Sequence, residues 1–419
     1  MNDSSIAVNT PSNRFGAYKE FSAGWKVLLG SAAGLIFGAT MLPFNTLGAV
    51  VTPLSEEFGW GRGEIQLCYL FFTLGSAACY PFIGKLVDRI GSRRVALIGI
   101  PAFAAAFATI GLATSDVRSF YLAWVFVGVL GAGTSPITFT AIVNLWFTKN
   151  RGLALATTLF LGGISAAAVQ ICSTYLAEAY GWRQTFFIFA LLPLCAAWPL
   201  AWYCLHPPAT RTVETPQSDR SRLEDVTLSY YRDYRFWLLT LAIGLVTFSI
   251  SGVVLNLKPL LADRGFDPAT AAYLAGALGL ALSVSRLATG YLIDRVWAPA
   301  VGFVLFLLPV FACWALIEVE GSMRLALTAV ILIGVATGGE SDLMAFLTAK
   351  YFGMKRYGRV YATVFTVFIV SSGVAPSVFG YVFDISGSYD PVLIVAAVCF
   401  FCSGVLLLGM GRYPAHNPA

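Results

Sequence analysis

Twelve long apolar runs, almost free of charge, follow one another along this chain, and they decide what it can fold into. They cover residues 26–52, 64–85, 95–114, 119–145, 152–176 and 184–205, then, after a polar gap, 236–260, 270–293, 299–317, 325–349, 359–383 and 390–411. As helices rising about 1.5 Å per residue, each is long enough to cross a hydrocarbon core of roughly 30 Å. Of the 419 residues, 58% are hydrophobic and 12% charged, against about 25% charged in a soluble domain. Water is no solvent for that much apolar surface, so an all-α membrane protein set in a lipid bilayer is expected. The first 24 residues are polar and lack an apolar h-region or cleavage site, so the first run is expected to stay as a membrane helix.

A net charge of +5 raises the question of nucleic acid, but its distribution argues against that partner. Twenty of the 27 Lys and Arg residues fall in one set of alternate loops, among them Lys26, Lys85, Arg89, Arg93, Arg94, Arg235, Arg295, Lys350 and Arg412. Five fall in the other set: Arg62, Arg118, Arg183, Arg264 and Arg324. This asymmetry places both termini and the 206–235 loop on the cytoplasmic side of the cell inner membrane. The eight cysteines lie within apolar runs. Cys399-Phe-Phe-Cys402 has ligand-pair spacing, but no second pair or nearby histidine completes a site. They read as packing residues, and no metal or other cofactor is expected.

Shifting the sequence by 206 residues superposes its landmarks without a gap. Pro53-Leu54 falls on Pro259-Leu260, Gly84, Asp88 and Arg89 on Gly290, Asp294 and Arg295, Gly128 and Gly133 on Gly334 and Gly339, and Gly181 on Gly387. The chain therefore divides into a tail (1–24), a six-helix bundle (25–205), a linker (206–235), a second six-helix bundle (236–411) and a tail (412–419). Six is even, so both bundles enter the membrane in the same orientation, and a substrate site belongs between them near the midplane.

The segment Gly84-Lys-Leu-Val-Asp88-Arg89-Ile-Gly91-Ser-Arg93-Arg94 resembles the loop signature between helices 2 and 3 of the major facilitator superfamily. Gly290-Tyr-Leu-Ile-Asp294-Arg295 is a degenerate copy. The resemblance implies twelve transmembrane helices in two parallel-related bundles, usually a monomer, and a transporter rather than an enzyme. Gly84 would permit close helix approach. Asp88 would accept helix N-terminal amides or pair with an arginine of the facing half. With Arg89, Arg93, Asp294 and Arg295, these residues form a candidate gate.

Four ionisable groups lie inside the spans: Lys258, Arg286, Glu340 and Asp342. A charge at bilayer depth costs about 2.5–3.5 kcal/mol on insertion scales, so it faces a cavity or a partner. Arg286 stands about two helical turns before Asp294. Its planar guanidinium can grip a carboxylate bidentately; a structural ion pair with Glu340 or Asp342 is the alternative. The segment 280–290 resembles helix 8 of the monocarboxylate and oxalate/formate branch of the superfamily, where an arginine binds the substrate carboxylate. That resemblance implies the same for Arg286, with a small organic anion as substrate. Leu282 stands where animal monocarboxylate transporters carry an acid, and neither helix 1 nor residues 360–383 supply a lysine. One arginine without a second cation favours one carboxylate over two. Ser283, Asn45, Tyr69 and Thr138 complete the candidate substrate-binding set. For Asn45, Tyr69, Asn144, Gln170 and Asn256, interhelical hydrogen bonds are the equal alternative.

Glu340 and Asp342 are separated by about 200° of helix, so one faces the cavity and the other a neighbouring helix. A carboxyl group out of water holds a proton more readily, so either could couple a proton to transport. Such a group would pair with Arg286 when the site is empty and release it on protonation. Their repeat mates are Thr134 and Pro136, which confines charge to the second half. Lys258 reads as a cation snorkelling to the outer interface, or else as one drawing anions into a vestibule. Trp60, Trp182 and Trp297 read as interfacial anchors. A drug–proton antiporter of the same superfamily is the rival transport reading. It is disfavoured by Trp124 where that branch carries an arginine and by the 161–168 segment. A transporter-like sensor that binds without turnover is the rival from another class.

Overall fold

The computed structural model describes residues 12–147, 151–206 and 230–413. The side chains of Asp88 and Asn144, and residues 207–229 of the linker, lie outside the described set. In chain order the helices are α1 (Ser12–Ile36), α2 (Leu42–Phe58), α3 (Arg62–Ile90), α4 (Ser92–Ile110), α5 (Val117–Gly131), α6 (Pro136–Trp146), α7 (Arg151–Tyr180), α8 (Trp182–Leu192) and α9 (Trp198–Cys204). The second half contributes α10 (Tyr234–Asp263), α11 (Pro268–Ile293), α12 (Ala298–Ile317), α13 (Met323–Phe352), α14 (Met354–Ser386) and α15 (Asp390–Leu408). Among the described residues, eleven spans are long and apolar enough to cross a membrane; α1 and α2 fall on the run expected as the first crossing. Aspartates start several of them. Asp116, Asp233 and Asp267 accept backbone N–H bonds at the N-termini of α5, α10 and α11, satisfying donors a helix leaves open. The bonds from Thr270 hold the Asp267 carboxyl below its ordinary range.

The repeat is physical. Helix starts at Arg62, Ser92 and Val117 recur at Pro268, Ala298 and Met323, each 206 positions on. A Cβ added to Gly128 would stand 2.4 Å from the Phe72 carbonyl oxygen, and one on Gly334 would stand 2.6 Å from that of Leu278, the repeat mate of Phe72. Likewise a Cβ on Gly133 would stand 3.1 Å from Gly99, and one on Gly339 2.8 Å from Leu305, the mate of Gly99. The same residues let the same helices approach in both halves, which is the packing that small residues permit in lipid.

Three crossings depart from the continuous helices expected, the sixth by a π-helical turn at Pro193–Ala197 between α8 and α9. The first is interrupted at residues 37–41 and the fourth at 132–135. Both breaks lie at one depth: Ala39 N–H donates to Thr134 Oγ1 at 3.0 Å, and Thr134 donates in turn to the Gly131 carbonyl at 2.8 Å. Each second segment restarts with a proline in its first turn, Pro43 and Pro136, where the missing N–H costs nothing. The buried apolar residues of the first half accordingly fall into clusters on either side of the breaks, whereas those of the second half form one.

The halves are sealed together at the end away from the basic loops. Arg62 grips the Asp263 carboxylate through two nitrogens, at 2.5 and 2.9 Å, with its guanidinium 3.9 Å from the Phe383 ring. Asp384 of α14 accepts the backbone N–H groups of Arg62 and Gly63, both at 2.9 Å, and so caps α3 from the opposite half. Gly63 and Gly380 allow this approach, since a Cβ on either would lie within 2.6 Å of the facing backbone. Deeper, Gln66 and Asn256 exchange bonds of 2.6 and 3.0 Å. Two of the expected interfacial tryptophans are packed inside this end instead. Trp60 and Trp182 are 7% and 4% exposed, their indoles donating to the Ser115 carbonyl and to Glu57. An acceptor within the fold satisfies the indole N–H as the interface would have. At the basic end, an added Cβ on Gly84 or its mate Gly290 would meet nothing within 4 Å. The close approach expected at Gly84 is therefore not made in this structure.

Candidate functional site

Between the halves, at the depth of the two helix breaks, lies a cavity of about 110 Å³. Its walls come from the break in the first crossing (Thr40), from α3 (Tyr69, Tyr80), from the break in the fourth (Ser135) and from α14 (Phe365, Ser372). No charged side chain lines it among the described residues.

Arg286 stands on α11 at the repeat position of Tyr80, which lines this cavity, and is not itself among the lining residues. Close packing aims it. A Cβ on Gly338 would lie 2.4 Å from the Leu282 carbonyl oxygen, which brings α13 against α11 one turn from the arginine. Arg286 Nη2 donates to Ser341 Oγ at 3.2 Å, and Nε lies 4.0 Å from Asp342 Oδ2. The pair is partly open, with 22% of the arginine and 30% of the aspartate side chain exposed. The Nε atom is buried without a hydrogen-bond partner. A guanidinium has five N–H donors, so this one retains capacity for an anion.

The two helix-13 acids divide as their spacing requires. Asp342 faces Arg286, whereas Glu340, 5% exposed, turns to α10 and accepts a hydrogen bond from Thr247. Of the other candidates, Tyr69 lines the cavity. Thr138 is buried in the first turn of α6 with its hydroxyl unpartnered. Ser283 donates to the Gly279 carbonyl of its own helix, and Asn45 bonds Met41 and Gln170, so neither is brought to Arg286. Asn256 and Gln170 make interhelical bonds. Lys258 does not snorkel. It is 7% exposed, and Nζ reaches into the first half to the Gln170 carbonyl (2.8 Å), Thr174 Oγ1 (3.0 Å) and Ser173 Oγ (3.1 Å). Three neutral oxygens from α7 replace the water it would otherwise seek, so the lysine latches the sealed end.

Among the gate candidates, Arg93 donates to the Trp202 carbonyl at 3.0 Å near the C-terminus of α9, where the helix dipole favours a cation. Arg295 lies 3.6 Å over its neighbour Tyr291; Arg89 and Asp294 are exposed. Sequence reasoning passed over Ser135, Tyr80, Ser341, Thr247 and the Arg62 cluster. The breaks did leave a signal: glycine followed within a few residues by proline, Gly38 before Pro43 and Gly133 before Pro136. The Arg62 cluster left none, as its partners lie 201 and 322 residues away.

A family model described as Major Facilitator Superfamily matches residues 32–376. Monocarboxylate transporter 11 of Homo sapiens is 24% identical over 417 residues, covering 94% of this chain and 85% of its own length. Monocarboxylate transporter 4 of Gallus gallus is 23% identical over 405 residues, covering 93% and 83%. A bacterial homologue of the human lysosomal transporter Spinster, solved in an inward-facing and unoccupied conformation, shares the fold with a TM-score of 0.72 at 16% identity, over 93% of this chain and 98% of that one. With the family model spanning most of the chain, and the repeat and crossings of the fold agreeing with it, this protein belongs to the Major Facilitator Superfamily of membrane transporters.

Proposed function

We propose that the protein is a secondary active transporter that moves a small organic monocarboxylate across the cell inner membrane by alternating access, with a proton as co-substrate. The observation that carries this reading is Arg286, a mid-membrane guanidinium with spare donors and only a loose carboxylate beside it. Such a group binds a carboxylate strongly because both partners are charged and the medium around them is poor in water. Kinship with the monocarboxylate transporters supports the substrate class.

Asp342 is the coupling group in this scheme. In the empty site it balances the arginine. A proton on Asp342 releases the arginine, the substrate carboxylate takes its place, and the loaded site carries no more net charge than the empty one. Charge bias in the loops puts the basic end in the cytoplasm, so the conformation described, sealed at the Arg62 end, opens inward. The test is uptake of a panel of labelled aliphatic and aromatic carboxylates by reconstituted vesicles, with and without an inward proton gradient. Gradient-driven accumulation of monocarboxylates is expected. Indifference to every carboxylate in the panel would overturn the assignment.

A further inference from the structure

The cavity at the helix breaks contains a polar feature for which the Arg286 scheme has no use. α6 is an 11-residue helix whose N-terminus opens at mid-depth. Its N-cap residue, Ser135, makes no capping bond. The Ser135 side chain lines the cavity, the residue is only 3% exposed, and its Oγ has no hydrogen-bond partner. Leaving a buried hydroxyl unpaired is costly, and a serine at an N-cap ordinarily turns back onto its own helix. Here it stays enclosed and unpartnered beside the cavity. The second segment of the broken first crossing starts beside it, with Thr40 in the cavity wall. The N-terminus of α6, with Gly131 and Ala132 at the end of the preceding segment beside it, therefore meets a space that has no charged side chain in its described lining, where its amides and the Ser135 hydroxyl suit an electron-rich oxygen.

The remaining walls are aromatic. Phe365 and Phe368 of α14 stack nearly parallel, 5.5 Å apart and 8° from coplanar, and Tyr361 extends the stack by one turn at 5.8 Å and 11°. Spaced four and three residues apart, the rings share one helix face, and Phe365 and Phe368 both border the cavity opposite Ser135.

We infer that this cavity is a second substrate subsite, which seats an aromatic ring against Phe365 and Phe368 and takes a ring hydroxyl oxygen at Ser135 and the α6 N-terminus. The substrate class is then a hydroxylated aromatic monocarboxylate. The inference rests on the carboxylate reading, since Arg286 holds the other end of the molecule. Arg286 is the repeat mate of Tyr80, which lines the cavity, so the two groups are expected at one depth in the two halves.

The test uses labelled benzoate and 3-hydroxybenzoate with reconstituted full-length protein, wild type beside Ser135→Ala. Serine to alanine removes the hydroxyl and leaves the helix intact. Wild type should show a KM for 3-hydroxybenzoate about fivefold below that for benzoate, and Ser135→Ala should erase that preference by raising only the hydroxybenzoate KM, as loss of one neutral hydrogen bond predicts. Equal KM values for the two acids in wild type, or an unchanged preference in Ser135→Ala, overturns the subsite and leaves the carboxylate reading intact. So does transport of aliphatic acids to the exclusion of both aromatic ones. If wild type transports no carboxylate at all, both readings fall together.

Discussion

The fourth and tenth crossings occupy equivalent places in the two halves, yet they meet the central space with different chemistry. Their scaffolding is shared: Gly128 and Gly334 admit the same neighbouring carbonyls, and Gly133 and Gly339 the same facing residues. At the next positions they part. The tenth crossing runs unbroken through Glu340, Ser341 and Asp342, whereas the fourth breaks at Thr134 and Ser135 and restarts at Pro136. One half therefore carries side-chain charge near these positions, Arg286 with Asp342, and the other a helix N-terminus and hydroxyls. A duplicated bundle can keep its packing glycines while its cavity residues diverge, because packing fixes backbone distances and leaves the inward side chains free.

This contrast breaks most visibly at the charged side. Arg286→Ala should abolish carboxylate uptake, a loss of more than about a hundredfold, as expected when a charge-assisted bidentate contact is removed; initial rates of labelled uptake measure it. Asp342→Asn should remove the dependence on a proton gradient while substrate exchange persists, whereas Glu340→Gln, which keeps its Thr247 partner, should retain gradient-driven uptake. Reversal of that order would move the coupling role to Glu340. At the sealed end, Arg62→Ala removes an inter-half clamp and should raise alkylation of a cysteine placed at Gln66 by about tenfold, the scale of a modest conformational coupling. The smallest effect on transport should come from the shared scaffold. Gly128→Val and Gly334→Val should each cost about 1–3 kcal/mol of stability, by similar amounts, read as loss of folded protein on heating. A large difference between them would mean that the halves do not pack alike.

Much of the architecture was legible before any coordinates. Apart from the first, whose helix starts at Ser12 and not at 26, apolar runs fixed the crossings to within a few residues because burial in lipid demands length and leaves no room for charge. The offset of 206 positions held because glycines at helix contacts tolerate no side chain. The opposing directions of Glu340 and Asp342 followed from helix geometry alone. Three things were not read from the sequence. The breaks at 37–41 and 132–135 sit inside unbroken apolar sequence, so hydropathy passes over them. Lys258 looked like a snorkelling cation since its three acceptors belong to α7, far along the chain. Gly84, where a close approach was expected, stands in open surroundings, which the glycine itself does not announce.

The central claim is that Arg286 holds the substrate carboxylate. Equilibrium binding of a transported acid and of its neutral amide to purified protein, wild type beside Arg286→Lys, tests it most directly. The account predicts that wild type binds the acid and ignores the amide, and that the lysine variant, lacking the planar fork, binds the acid at least about tenfold more weakly. Equal binding of acid and amide, or an unchanged affinity in Arg286→Lys, would contradict it.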